Sequence, residues 1–143
     1  MINLTINTDG GSRGNPGPAG IGVKIEIRNS NDEIRIEEIS EYIGETTNNI
    51  AEYKAVLKAL EWVKINIKGE LKIEFFLDSQ LVVEQLNERY KLKNDGLKQI
   101  FTEIKRLVFE LGDNISFDYI PREKNQEADA LVNKALDAHL KED

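Results

Sequence analysis

This sequence predicts an α/β fold, a mixed sheet with helices on both faces. Two observations carry the prediction. Three segments of alternating apolar and polar residues come first, as antiparallel strands joined by turns do, and helically spaced segments then alternate with two more strand-like ones. The order is βββαβααβα, in which a strand fed by one helix and followed by another runs parallel to its partners through right-handed crossovers.

Ile2–Asn7 alternates and forms the first strand. The glycines and prolines of Thr8–Gly22 are expected to end it, with Asp9 at the turn into an antiparallel partner at Val23–Ile27. Asn29-Ser30-Asn31-Asp32 then turns the chain into a third strand, Glu33–Glu37. Thr46-Thr47-Asn48-Asn49 offers several N-cap residues for a helix over Asn49–Asn66, with Val56, Leu57, Leu60 and Val63 on its apolar stripe. Tyr53 and Trp62 are assigned to the core. Leu71, Ile73, Phe75 and Leu77 make a fourth strand that ends at Asp78, where Ser79 caps a helix bearing Val82, Val83 and Leu86. Leu97, Ile100, Phe101, Ile104, Leu107, Val108 and Leu111 share one face of a longer helix. Ile115–Ile120 is the last strand, ended by Pro121, and the final helix is expected from Asn125 through Leu140.

The 143 residues fit one domain, residues 1–143, large enough for a real core. No long apolar run or signal-like N-terminus is present, so neither membrane nor export is expected. The absence of cysteine excludes disulfides and thiolate metal sites and favours a reducing cytoplasm. With a single histidine, any metal must be held by oxygen, which selects magnesium, manganese or calcium rather than zinc. A net charge of −7 argues against strong non-specific nucleic-acid binding. It does not exclude a nucleic-acid enzyme, because carboxylates gathered around cations are locally neutralised. Abundant isoleucine, lysine and glutamate lean toward a heat-adapted source.

Asp9 and Asp78 stand at the carboxyl ends of two strands and share the parity of the more polar side of each. Sites in such sheets form there. Glu52, four residues before Val56 and eight before Leu60, projects from the buried stripe of its helix, and Asp129 opens the last helix. Three of the acids also have a plain structural reading: Asp9 as a turn aspartate, Glu52 in a capping box with Asn49, and Asp129 as a carboxylate complementing a helix dipole. Four acids placed where strand ends and helix starts converge are better explained by a shared site. Converging carboxylates repel and stay ionised only with cations among them. Two magnesium or manganese ions about 3.5–4 Å apart would form the usual clamp for phosphodiester hydrolysis.

Thr8-Asp9-Gly10-Gly11 with Gly14-Asn15-Pro16-Gly17-Pro18, Thr47-Asn48-Asn49-Ile50-Ala51-Glu52, Asp78-Ser79-Gln80, and Asn125-Gln126-Glu127-Ala128-Asp129-Ala130-Leu131 together resemble the type 1 ribonuclease H family, in order and across essentially the whole chain. The resemblance implies a five-stranded sheet of order 3-2-1-4-5. It also implies a divalent-metal endonuclease that cuts the RNA strand of an RNA/DNA hybrid, leaving 5′-phosphate and 3′-hydroxyl ends, with Asp9, Glu52, Asp78 and Asp129 as metal-binding acids. It sets Asn15, Asn49 and Gln80, with the backbone of Gly10 and Gly11, along the minor groove of the hybrid, where side-chain amides answer a 2′-hydroxyl in either sense. Thr47 matches a residue that helps hold a DNA phosphate, and Asn48 is either a substrate contact or a helix cap.

Two departures from the family pattern stand out. Asn87–Asp95 is short and mildly basic where many bacterial members carry a basic loop with tryptophans, so the hybrid-binding handle is expected to be missing. Arg122-Glu123-Lys124 stands where members often carry a histidine, either as an auxiliary loop or as a solvated turn. His139 cannot substitute, lying roughly 15 Å along the helix from Asp129. The expected protein is thus a cytoplasmic, monomeric nuclease acting on RNA/DNA hybrid, with double-stranded RNA as a second substrate to test. Its rivals are a non-catalytic binding module and a DNA resolvase or transposase-like nuclease of the same fold.

Overall fold

The computed structural model describes residues 1–142. Its elements are β1 (Ile2–Ser12), β2 (Gly17–Arg28), β3 (Ile34–Thr46), α1 (Asn48–Asn66), β4 (Leu71–Leu77), α2 (Gln80–Leu86), α3 (Asp95–Glu110), β5 (Ile115–Tyr119), a 3-10 turn at Arg122–Lys124, and α4 (Gln126–Glu142). The sheet has the order β3-β2-β1-β4-β5. β1 pairs antiparallel with β2 and β2 with β3, whereas β4 runs parallel to both β1 and β5. The expected mixed sheet and its strand order are both present. No helix among the described residues is long and apolar enough to cross a membrane.

One face of the sheet is apolar. Leu4 and Ile6 lie opposite Ile27 and Ile25, and all four are buried with Ile73 and Phe75 of β4 in one core with α1, against which α3 packs in turn. The alternate face carries Asn3, Thr5, Asn7 and Asp9 opposite Arg28, Glu26, Lys24 and Gly22, and α4 crosses it where β2 turns to glycine. At Gly22 a Cβ would sit 2.2 Å from the carbonyl oxygen of Ala128, so the helix backbone rests directly on the strand. Ser40 of β3 secures the same helix, its hydroxyl donating to the Leu131 carbonyl at 2.6 Å.

These close approaches explain where the strands differ from expectation. β1 does not end at Asn7 but runs on through Asp9, Gly10 and Gly11, with Asp9 paired to Gly22; the reversal comes later, where the Arg13 N–H donates to the Pro18 carbonyl at 2.8 Å. Glycines that read as turn formers are strand residues stripped of a side chain so that helices can pack against them. A Cβ on Gly10 would lie 2.3 Å from the Ala51 carbonyl carbon and oxygen of α1. β2 is longer than Val23–Ile27 for the same reason. β3 continues from Glu37 to Thr46 as an edge strand whose second half is partly buried on both sides, and a register shift at Ala19/Gly20 of its partner removes the simple alternation.

Helix α1 starts at Asn48 because Thr47 is the cap, its side-chain oxygen accepting from the Ile50 N–H at 3.3 Å. A capping box from Asn49 to Glu52 is therefore not formed. Ser79 caps α2 as expected, accepting from the Val82 N–H. β5 stops at Tyr119 and α4 begins at Gln126, each one residue from the expected boundary. Tyr53 is fully buried and its hydroxyl donates to Gln85 Oε1 at 2.6 Å. Trp62 is half-buried against the core, with the Arg35 guanidinium 5.8 Å from its ring centroid.

Candidate active site

The parallel ladder between β1 and β4 ends at the pair Thr8–Leu77, so the next residue on each strand is an aspartate, Asp9 on β1 and Asp78 just past β4. Adjacent parallel strands run about 4.8 Å apart, which makes the two side chains neighbours. Glu52 arrives from α1, whose backbone is pressed onto β1 at Gly10. Asp9, Glu52 and Asp78 each place a carboxylate oxygen within 4.8 Å of the others.

This cluster is largely withdrawn from water. Asp9 is 7% exposed and Glu52 8%. The Gly10 N–H donates to Asp9 Oδ1 at 3.0 Å, whereas Glu52 Oε2 is buried without a hydrogen-bond partner among the described residues. Burial raises the Asp9 carboxyl from its ordinary 3.8 to about 7, and the neighbouring Asp78 charge pushes the same way. Glu52 is raised well above the usual range by burial first and then by Asp9 and Asp78. An unpaired buried carboxylate oxygen is costly, and three acids crowded together more so, unless a cation completes the set. The donor set is all oxygen and anionic, which fits a hard divalent cation such as magnesium or manganese.

Asp129 lies in the first turn of α4 and lines the same cavity of about 390 Å³ as the other three acids; it falls outside their mutually close group but faces Asp9, whose carboxyl it helps to raise. Its nearest cation is Arg122, whose Nη2 is 3.7 Å from Asp129 Oδ1. Of the loop Arg122-Glu123-Lys124, only Arg122 lines this cavity. Glu123 and Lys124 line a separate hollow with Asn7 and Lys24, so the loop divides between two places.

The asparagines form a connected rim. Asn48 Oδ1 accepts from the Ser12 N–H at 2.8 Å and from its hydroxyl at 3.1 Å, and the Asn48 N–H donates to Asn15 Oδ1 at 3.0 Å. Asn48 is thus a brace between β1 and α1 rather than the cap. Gly10 and Gly11 line the acidic cavity, while Asn15, Thr47 and Asn49 border a second hollow with Lys91, Lys93 and Asn94. Those two lysines belong to the stretch expected to offer no basic handle. Gln80 is exposed at the first position of α2.

Sequence reasoning passed over Asn125. Its place in the last motif suggests only a helix opener, yet it is buried between the strand ends and donates to Asp78 Oδ2. An asparagine four residues ahead of Asp129, just after a turn, carried no pattern to separate it from an ordinary cap.

Comparisons with known proteins identify the family and the fold. The family described as "Reverse transcriptase-like" matches residues 7–135. The "Bifunctional protein Rv2228c" of Mycobacterium tuberculosis is 36% identical over 138 residues, covering 96% of this chain and 36% of that protein. The chain thus spans about a third of the length of the mycobacterial relatives it matches. "Ribonuclease H" of Ruthia magnifica is 31% identical over 152 residues, covering 96% of this chain and 97% of that protein. Among solved structures, LC11-RNase H1, isolated from compost by a metagenomic approach, superposes with a TM-score of 0.86 at 45% identity, over 98% of this chain and 99% of that one. The same protein in complex with RNA/DNA hybrid superposes at 0.85. Identity at this level, sustained from end to end of a whole ribonuclease H and matched in three dimensions, reflects common descent as well as a common fold, and this chain belongs to the type 1 ribonuclease H family.

Proposed function

We propose that the chain is a divalent-metal-dependent endoribonuclease, a single catalytic domain that hydrolyses the RNA strand of RNA/DNA hybrids to 5′-phosphate and 3′-hydroxyl ends. The observation that carries this reading is the close group of buried Asp9 and Glu52 with half-buried Asp78, in which Glu52 Oε2 has no hydrogen-bond partner among the described residues. Hybrid bound to LC11-RNase H1, a 45% identical neighbour, supports the substrate.

Asp9, Glu52 and Asp78 would hold the cations, two magnesium or manganese ions, with Asp129 completing the set from α4. Bound there, such ions supply activation of water and neutralisation of charge on the phosphodiester. The rest of the chemistry falls to the chain. Arg122, exposed beside Asp129, meets the scissile phosphate and offsets its charge. The backbone of Gly10 and Gly11 lets the RNA approach closely, and Asn15, Asn48, Asn49 and Gln80 present amides to 2′-hydroxyls along the minor groove. Thr47 accepts from the Ile50 N–H and so keeps its own proton to donate to a DNA phosphate, in the hollow that Lys91 and Lys93 border. The 2′-hydroxyl contacts select RNA over DNA in the cleaved strand. A cysteine-free composition suits the cytoplasm, and the enzyme acts as a monomer.

The test is incubation of the protein with end-labelled RNA/DNA hybrid, double-stranded RNA and double-stranded DNA, each with magnesium, manganese or chelator. Cleavage of the RNA strand of the hybrid that requires a divalent cation, with double-stranded DNA intact, is expected. An uncut hybrid in both metals, or equal cutting of double-stranded DNA, would overturn the reading.

A further inference from the structure

Asn125 is 1% exposed, although it immediately precedes α4, where an asparagine ordinarily turns its side chain back to cap the helix. Here the side chain points inward. Its Nδ2 donates at 2.9 Å to Asp78 Oδ2 and at 2.9 Å to the Thr8 carbonyl, and its Oδ1 accepts from Asn7 Nδ2 at 3.1 Å. Both amide hydrogens and the amide oxygen are therefore committed. The orientation is fixed, because a flipped amide would set oxygen against both a carbonyl and a carboxylate.

Two partners of the side chain and one of the backbone lie at the places that position the site. Thr8 is the residue before Asp9, Asp78 is itself one of the clustered acids, and the Asn125 carbonyl accepts the N–H of Asp129 at 3.1 Å in the first turn of α4. One buried residue thus joins the ends of β1 and β4, through its side chain, to the helix that carries the fourth acid, through its carbonyl. It also occupies Oδ2 of Asp78, which fixes the rotation of that carboxylate and leaves Oδ1 for another partner.

We propose that Asn125 is a positioning residue: it orients the Asp78 carboxylate toward the cation site and sets α4, with Asp129, at its distance from the strand ends. The proposal rests on the metal-dependent nuclease reading above. An asparagine at this point serves where aspartate would not, since a second carboxylate would repel Asp78. Partners that orient a metal-binding carboxylate typically account for 10–100-fold in metal affinity or activity.

The test is calorimetric titration of Mn2+ into metal-free wild-type, Asn125→Ala and Asn125→Ser proteins, alongside steady-state cleavage of hybrid and thermal melting. For Asn125→Ala the expected result is a Mn2+ affinity and a kcat each lower by about 10–100-fold, with KM for hybrid nearly unchanged. Asn125→Ser, which keeps a hydroxyl at the buried position, should fall between the two, and it decides the matter alone if the alanine variant does not fold. A merely structural role would lower the melting temperature while leaving Mn2+ affinity and kcat at wild-type values in the folded variant, and that result overturns the proposal. A wild-type protein that neither binds Mn2+ nor cuts hybrid would overturn the nuclease reading and, with it, the positioning role.

Discussion

Replacing Asp9 by asparagine should stabilise the metal-free protein while abolishing cleavage. Asp9 is buried beside Asp78 and Glu52, and its carboxyl is raised from 3.8 to about 7. A carboxyl raised on folding binds its proton more tightly in the native state, so the stability it contributes is full below its unfolded value of 3.8 and is lost as pH rises through about 7. At about 1.36 kcal/mol per pH unit the whole displacement corresponds to roughly 4 kcal/mol, a ceiling. Asparagine keeps an acceptor for the Gly10 N–H but loses the charge, and part of the strain is shared with Glu52, so about 2 kcal/mol at pH 8.5 is the working figure. For a chain of this length, with an unfolding entropy of about 0.3 kcal/mol/K, that is a melting temperature higher by ~7 °C. Thermal and urea denaturation of both proteins in chelator at pH 5 and pH 8.5 measures it. The advantage of Asp9→Asn should be present at pH 8.5 and shrink at pH 5, and magnesium should stabilise the wild type alone. A variant no more stable than wild type at pH 8.5, or equally favoured at both pH values, would refute the crowding argument.

Gly10→Ala should cost about 1–3 kcal/mol by overpacking, because its Cβ would meet Ala51 at 2.3 Å and the Glu52 amide nitrogen at 2.5 Å; the same displacement of Glu52 should depress kcat, and wild-type values for both would mean that α1 has room to retreat. Arg122→Ala should lower turnover about 10–100-fold, about 1.4–2.7 kcal/mol of barrier, whereas Glu123→Ala and Lys124→Ala, which line a different hollow, should leave it unchanged. Equal losses in all three variants would show that the loop acts as a unit. Hybrid binding by this acidic chain should be weak and fall with salt, and the double variant Lys91→Ala with Lys93→Ala should raise KM, leave kcat alone and flatten the salt dependence by about one to two phosphate contacts. A KM insensitive to salt in the wild type would contradict that placement of the phosphates.

The succession of strands and helices is legible because it rests on periodicity, which burial enforces over many residues at once, whereas the sheet order 3-2-1-4-5 follows from the family resemblance. Leu71, Ile73, Phe75 and Leu77 are all buried, and the strand they announce has the bounds expected. What sequence misread was glycine. Gly10, Gly20 and Gly22 look like turn residues, yet they are strand positions emptied for helix backbones, and a demand imposed by a segment about 40 residues away for Gly10, and over a hundred away for the other two, leaves no local mark. The same limit applies at the site. Parity and spacing make two strand-end aspartates and a helix glutamate on a buried stripe candidate neighbours, and the family resemblance joins them into one metal-binding set. The split of Arg122 from Glu123 and Lys124 and the inward turn of Asn125 depend on which way a three-residue 3-10 turn faces, and the brace made by Asn48 depends on where α1 meets Ser12, both fixed only in the folded chain.

The most direct test of the central claim is the single-turnover rate of hybrid cleavage by wild type and by Asp78→Asn at matched, saturating magnesium. Asparagine preserves the shape and an acceptor for the Asn125 amide, so the fold should persist, which far-UV circular dichroism checks on the same samples. If Asp9, Glu52 and Asp78 hold the cations, the variant should lose at least about a thousandfold in rate, about 4 kcal/mol of barrier. A folded Asp78→Asn protein that cleaves hybrid within about tenfold of the wild-type rate would contradict the account.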